Sequence, residues 1–253
     1  MAMSDHTVKS YDEELKQLHE DILRMGGIAE SQFASAMQAI SKRDADIAAE
    51  TVRGDNKIDE LNHVIDKRVV HMLALRQPMA SDLREIVSSL KIAVDIERIG
   101  DYSANIAKRA IAMAELRPIK PISGIPRMGL LVQRLIKDVL DSYNNRDAEK
   151  AMKVWARDEE VDDMYNSLFR ETLTYMMEDP RNITPCTHLL FIAKNIERIG
   201  DHATNIAETV YFVVHGTRIS TNRPKGDSSS FIVLTPEDRG AGATGLGKGK
   251  TEI

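Results

Sequence analysis

The sequence predicts an all-α fold: two related three-helix bundles in tandem, with pseudo-twofold symmetry between them and a disordered C-terminal tail. Three observations carry this. The stretch from Leu90 to Ala107 recurs from Leu190 to Ala207, and Ile-Glu-Arg-Ile-Gly-Asp is identical in both copies. The composition, 42% hydrophobic and 29% charged with only 5% aromatic residues, is that of a soluble helix-rich protein. Within each copy, apolar residues fall at alternating four- and three-residue steps, the signature of a buried helical seam.

The elements follow in order. The first helix is read from about Ser10 to Ser41, the second from Asp44 to Leu75 and the third from Ser81 to Leu116. The second set runs from Arg127 to Tyr143, Asp147 to Glu178 and Thr184 to Val214. Asp44 and Asp147 each follow an arginine and stand where a carboxylate caps the first free amides of a helix. Pro78 and Pro180 end the second helix of each set, because proline cannot continue the hydrogen-bond ladder. Three prolines and a glycine between Arg117 and Pro126 mark the connection between the halves. This divides the chain into 1–117, a linker at 118–126, 127–217, and a tail at 218–253.

The repeat is wider than its central motif. Arg43-Asp-Ala45 matches Arg146-Asp-Ala148, and Asp55–Asp59 matches Asp158–Asp162. The offset is 103 residues there but 100 in the third helices, so the intervening turn is three residues shorter in the second half. In the third helices Ile92, Ile96, Ile99, Ser103, Ile106, Ala110 and Met113 form the seam, mirrored by Ile192, Ile196, Ile199, Ala203, Ile206, Val210 and Val213. Gly100 and Gly200 sit mid-helix, where glycine costs about 1 kcal/mol relative to alanine; both point to close approach of a neighbouring helix. The tail is mostly glycine, serine and charge, with Phe231–Leu234 as one transiently extended piece.

Whole-chain properties exclude several functions. A net charge of −5 argues against broad nucleic-acid binding. One cysteine, Cys186, excludes an internal disulfide framework and reads as a small buried residue. The N-terminus lacks a signal-peptide pattern, and no apolar run approaches the roughly 20 residues of a membrane span, so any membrane role is expected to be indirect, through a partner.

The acids are the chemical feature. Glu97 and Asp101 lie one turn apart on a single helical face, turned from the isoleucine seam towards an outer groove; Asp55 and Asp59 do the same on the preceding helix. If the two helices run antiparallel, the four converge, as would Asp158, Asp162, Glu197 and Asp201 in the second half. At about 6 Å and an effective dielectric of about 20, each carboxylate pair repels by about 3 kcal/mol. Such a patch requires protons, arginine partners or bound cations. All-oxygen ligands suit Mg²⁺, Ca²⁺ or Mn²⁺, and carboxylate clusters also hold iron; His63 and His202 are placed to add nitrogen. The plainer alternative is an ordinary surface ion pair, since Arg98–Asp101 and Arg198–Asp201 are three residues apart.

Other chemistries are poorly supported. A ferritin-like di-iron centre wants two Glu-x-x-His motifs, and Glu60–His63 is the only one. No histidine shares the twofold repetition, as phosphotransfer would want. The nearest approach to a phosphate loop, Thr244–Thr251, lacks its first glycine and a following helix. No nucleophile–base pair is evident, so the residues describe a non-enzymatic helical module. Two other readings stay open: a metal-dependent phosphatase or oxidase using the carboxylates, and a metal-free structural adaptor.

At these residues the chain resembles the PhoU family of bacterial phosphate-signalling accessory proteins. The resemblance rests on the twin Ile-Glu-Arg-Ile-Gly-Asp motifs, the Asp-Tyr and Asp-His that end them, Asn205–Glu208 and Gln77–Arg84, and it covers about residues 10–215. It implies two three-helix bundles, often dimeric, with iron or other metal ions at Asp55, Asp59, Glu97, Asp101, Asp158, Asp162, Glu197 and Asp201. It further implies a cytoplasmic adaptor between a phosphate ABC transporter, through its ATPase subunit, and a PhoR-type sensor histidine kinase. Such an adaptor restrains uptake and keeps the starvation response off when phosphate is plentiful, meeting the inner face of the membrane only through those partners.

Overall fold

A computed structural model describes residues 2–119, 123–221 and 223. Helix propensity and capping set the elements. The first half comprises α1 (Ala2–Lys42), α2 (Ala45–Gly54), α3 (Asn56–Arg76) and α4 (Ala80–Ala114). The second comprises α5 (Ile125–Asn145), α6 (Ala148–Trp155), α7 (Asp158–Glu178) and α8 (Ile183–His215), with a 3₁₀ turn at Pro180–Asn182. Asp44 accepts from the amides of Asp46 and Ile47, and Asp147 from that of Lys150, so both repeats start their second helix on the same aspartate cap. The preceding Arg43 and Arg146 both turn the chain in the left-handed region, at φ 54° and 51°. Arg43 then offsets that strain by donating to the carbonyls of Met113 and Ala114 at 2.8 Å each, closing the end of α4.

The structure departs from the sequence reading at three places. The second long helix of each half is two helices, interrupted at Asp55 and at Ala156–Arg157. Gly54, with its low helix propensity, ends α2, and the breaks fall at the first acid of the repeated set in one half and directly before it in the other. The linker ends earlier than position 126: Pro126 lies in the first turn of α5, where its missing amide costs no helical hydrogen bond. The chain beyond Arg218 does not leave the fold at once, because Ile219 packs against the core and Arg223 reaches back into the second half. Phe231–Leu234 and Thr244–Thr251 lie outside the described residues.

The halves share one core. The seam of α4 is buried throughout, and α8 lies along α4 in the most extensive helix pairing of the molecule; Val213 alone of the seam positions is partly exposed. A pseudo-twofold axis passes between Tyr102 and His202, whose rings stand 5.7 Å apart at equivalent positions of the two helices. The crossing of α1 and α5 obeys the same symmetry: Gly26 faces the Leu140 side chain and Gly129 faces that of Met37. A side chain at either glycine would require the facing Leu140 or Met37 side chain to move. Cys186 is fully buried and free.

Candidate functional site: two carboxylate clefts

In the first half, α3 and α4 bring Asp55, Asp59, Glu97 and Asp101 within electrostatic reach of one another. Burial pushes the Glu97 carboxyl up, and Asp101, Asp59 and Asp55 add to the effect; Asp101 is raised by burial and then by Asp55. Close approach of the helices is possible because residue 100 is glycine. A Cβ there would lie 2.6 Å from Ile58 Cδ1 and 3.3 Å from both Asp55 Oδ1 and Gln32 Oε1. Gln32, from α1, donates its amide to Asp55 Oδ1 at 3.0 Å, while its buried Oε1 has no hydrogen-bond partner. Arg98 spans the outer edge, 3.0 Å from Asp101 Oδ2 and 3.6 Å from Glu97 Oε2. The surface ion pair is therefore present, but half-exposed and on the rim. Asp59 and His63 are exposed on α3.

The second cleft is closed rather than open. Asp158, Asp162 and Glu197 are buried, and Asp201 is half-buried. Glu197 has its pKa pushed up to about 7, by burial first and Asp201 second, against the opposing pull of Lys194. Lys194 Nζ lies 3.1 Å from Glu197 Oε2, and Arg198 sits 3.6 Å from Asp201. The acids are thus more open to solvent in the first half than in the second. His202 turns away from the acids: its Nδ1 lies 2.8 Å from Asp95 Oδ1, across the pseudo-twofold axis.

The occupant of the second cleft is a side chain absent from the sequence reading. Arg223 places a two-pronged fork on Asp158, with Nε 2.6 Å from Oδ2 and Nη2 2.7 Å from Oδ1. Nη2 also donates to Asp201 Oδ1 at 2.7 Å, and Nη1 to Asn205 Oδ1 at 3.1 Å. Thr204 Oγ1 donates to Asp158 Oδ1 at 3.2 Å. Planar, two-pronged pairing of this kind is the strongest ordinary contact between an arginine and a carboxylate. Arg223 was hidden because it stands in a segment without apolar periodicity. Gln32 was hidden because one glutamine on a long helix carries no pattern.

The donor chemistry of the first cleft suits a hard cation: four carboxylates and an unpartnered buried amide oxygen, with Arg98 only at the rim. Among the described residues, no three His, Cys, Asp or Glu side chains close around one point in the manner of a ligand set. The second cleft differs in kind, since both oxygens of Asp158 and one of Asp201 are already engaged by Arg223.

Two stretches, residues 22–110 and 125–210, match the PhoU domain model, one in each half. The chain belongs to the PhoU family. It is 54% identical over 226 residues to the phosphate-specific transport system accessory protein PhoU homolog of Caulobacter vibrioides, covering 89% of this chain and 98% of that one. The crystal structure of PhoU from Pseudomonas aeruginosa is similar at a TM-score of 0.79 and 39% identity, over 82% of this chain and all of that one. That of the phosphate transport system regulatory protein PhoU from Streptococcus pneumoniae is similar at 0.77 and 27%, over 83% and 100%. Both acid sets lie inside the matched PhoU stretches, and Arg223 lies outside them. No helix among the described residues is long and apolar enough to cross a membrane.

Proposed function

We propose that this chain is a non-enzymatic accessory protein of phosphate uptake, a negative regulator of the phosphate-starvation response that joins a phosphate ABC transporter to its sensor histidine kinase. The observation that carries the adaptor reading is an uncovered apolar surface. Val70, Leu75, Met79, Leu83, Val87 and Val94, on α3, α4 and the turn joining them, are between 38% and 79% exposed. Large apolar side chains left exposed on consecutive elements in this number are a feature of protein-interaction surfaces. The turn they flank is held in left-handed backbone at Gln77 and Ala80, a strained conformation that fixes how Met79 is presented. The names of the relatives supply the phosphate-transport context. The protein works in the cytoplasm, as a homodimer, and reaches the membrane through the transporter's ATPase subunit and the kinase.

The acid clefts belong to this reading as cation sites. Asp55, Asp59, Glu97 and Asp101 would hold a divalent or iron-type ion, and so would Asp158, Asp162, Glu197 and Asp201 once Arg223 withdraws. There these carboxylates would hold the ion between α3 and α4, or between α7 and α8, and the ion would supply the positive charge that neutralises them. The residues themselves do the positioning: Gly100 admits the close crossing, and Gln32 orients Asp55.

The test is co-purification from phosphate-replete cells. The transporter ATPase and the sensor kinase are expected with the wild-type chain, and both are lost with Met79→Asp combined with Val87→Asp. Recovery of neither with the wild type overturns the adaptor reading. Replacing Glu97, Asp101, Glu197 and Asp201 by alanine should lower metal content and derepress starvation genes. Unchanged metal content in that variant removes the ligand assignment.

A further inference from the structure

We propose that the second-half cleft is a guanidinium site, filled by Arg223 of the same chain, and that Arg223 and a divalent cation exclude one another there. Only the exclusion rests on the metal reading above; the arginine site stands on its own contacts.

The geometry is that of a built receptor. Asp158 is 2% exposed, and its two oxygens accept the two prongs of Arg223 at 2.6 and 2.7 Å. Asp201 and Asn205, one turn apart on α8, take the remaining edge of the guanidinium. Thr204 holds Asp158 from the other side. A cation drawing on Asp158 would need oxygens that the arginine already holds, and its charge would repel the guanidinium, so the two compete for the cleft.

Chain length permits the return. Gly216 ends α8 in left-handed backbone, and the chain comes back from there towards the level of Asp201. Partway along this strap Ile219 packs against the core. The strap also walls a cavity of about 330 Å³ with Lys91, Glu208 and Phe212.

The first half supplies the control. Asp55, Asp101 and Asn105 are the equivalents of Asp158, Asp201 and Asn205 by the repeat offsets of 103 and 100. There Ile119, beyond the end of α4, is buried, and among the described residues after α4 none is hydrogen-bonded to Asp55 or Asp101. Asp55 is met by Gln32, and Asp101 by Arg98 from its own helix. The same three side chains thus share one arginine in the second half and have separate partners in the first.

The experiment uses the full chain and two readouts. The first is cleavage by trypsin at Arg218–Ile219 in EDTA, followed by mass spectrometry; the bond after Arg223 precedes Pro224 and resists the enzyme. Arg223→Gln should be cut about tenfold faster or more, because losing charge-assisted hydrogen bonds frees the strap. Asp158→Asn should behave likewise, whereas Asp55→Asn should match wild type. Wild-type rates in both Arg223→Gln and Asp158→Asn overturn the arginine site. The second readout is the number of Mn²⁺ ions bound per chain, counted by electron paramagnetic resonance. Arg223→Gln should bind one more than wild type, and equal non-zero numbers overturn the exclusion. If neither chain binds Mn²⁺, the metal reading and the exclusion fall together, and trypsin alone decides the arginine site.

Discussion

The two halves bury the same motif and solve its charge problem differently. In the first, the acids face a half-open groove with Arg98 at its rim and Gln32 beneath. In the second, three of four acids are buried and an arginine from beyond the matched PhoU stretches sits among them. Identical local sequence, Ile-Glu-Arg-Ile-Gly-Asp in both, therefore does not fix the state of a site. What differs is the chain that follows: one third helix runs on into the other half, and the other ends at Gly216 and turns back.

That contrast can be broken by mutation. The largest effect is expected from Asp158→Ala, which leaves a mostly buried guanidinium without its main partner, costing about 3 kcal/mol. Asp55→Ala should cost under about 1 kcal/mol, because its partner is a neutral amide. Chemical denaturation of both variants measures the difference, and equal losses would mean that the clefts are energetically alike.

Next comes the pH dependence of Glu197. Its folded-state pKa of about 7 lies above the usual carboxylate value, so the folded chain binds more protons than the unfolded one between about pH 4.5 and 7. Stability contributed by this group therefore falls as pH rises through that window. Glu197→Gln should remove the decline and gain about 2 kcal/mol at pH 8 in EDTA, while Glu97→Gln should gain less. Denaturation midpoints across the pH range check this; parallel curves for wild type and Glu197→Gln would contradict it.

Smaller still is the glycine pair. Gly100→Ala meets Ile58 at 2.6 Å and two oxygens at 3.3 Å, and should cost about 1–2 kcal/mol even after the gain in helix propensity. Gly200→Ala meets only Val161, at 3.3 Å, and should be near neutral. The smallest difference belongs to the caps: Asp44→Ala and Asp147→Ala should each lose about 1 kcal/mol, with Asp44 slightly worse because it caps two amides rather than one. Thermal unfolding resolves both comparisons.

Much of this was legible in the sequence, for identifiable reasons. The isoleucine seams, the aspartate caps and Pro180 act locally, so spacing and residue type expose them. The acid rows were legible as helix faces because side chains four apart must project together. The breaks at Asp55 and Ala156–Arg157 were not, since the apolar pattern runs through them, and a single glycine at 54 does not by itself announce a break. Burial of Glu197 was equally invisible: Glu97 has the same neighbours in sequence, and the difference comes from what covers the helix. Arg223 illustrates the limit most clearly, because one arginine in a polar segment gains meaning only when the chain folds back.

Asn205 gives the second cleft a wider reach. It accepts from Arg223 with its oxygen and donates from its nitrogen to Asp95, a residue of α4 that also meets His202. One amide thus stands between the strap and the opposite half of the molecule. By thermodynamic reciprocity, whatever shifts α4 against α8 must alter the grip on Arg223 by the factor with which losing Arg223 alters that crossing. A protein grasping the exposed side of α4 would then be felt at the tail, and release of the tail would be felt by that protein.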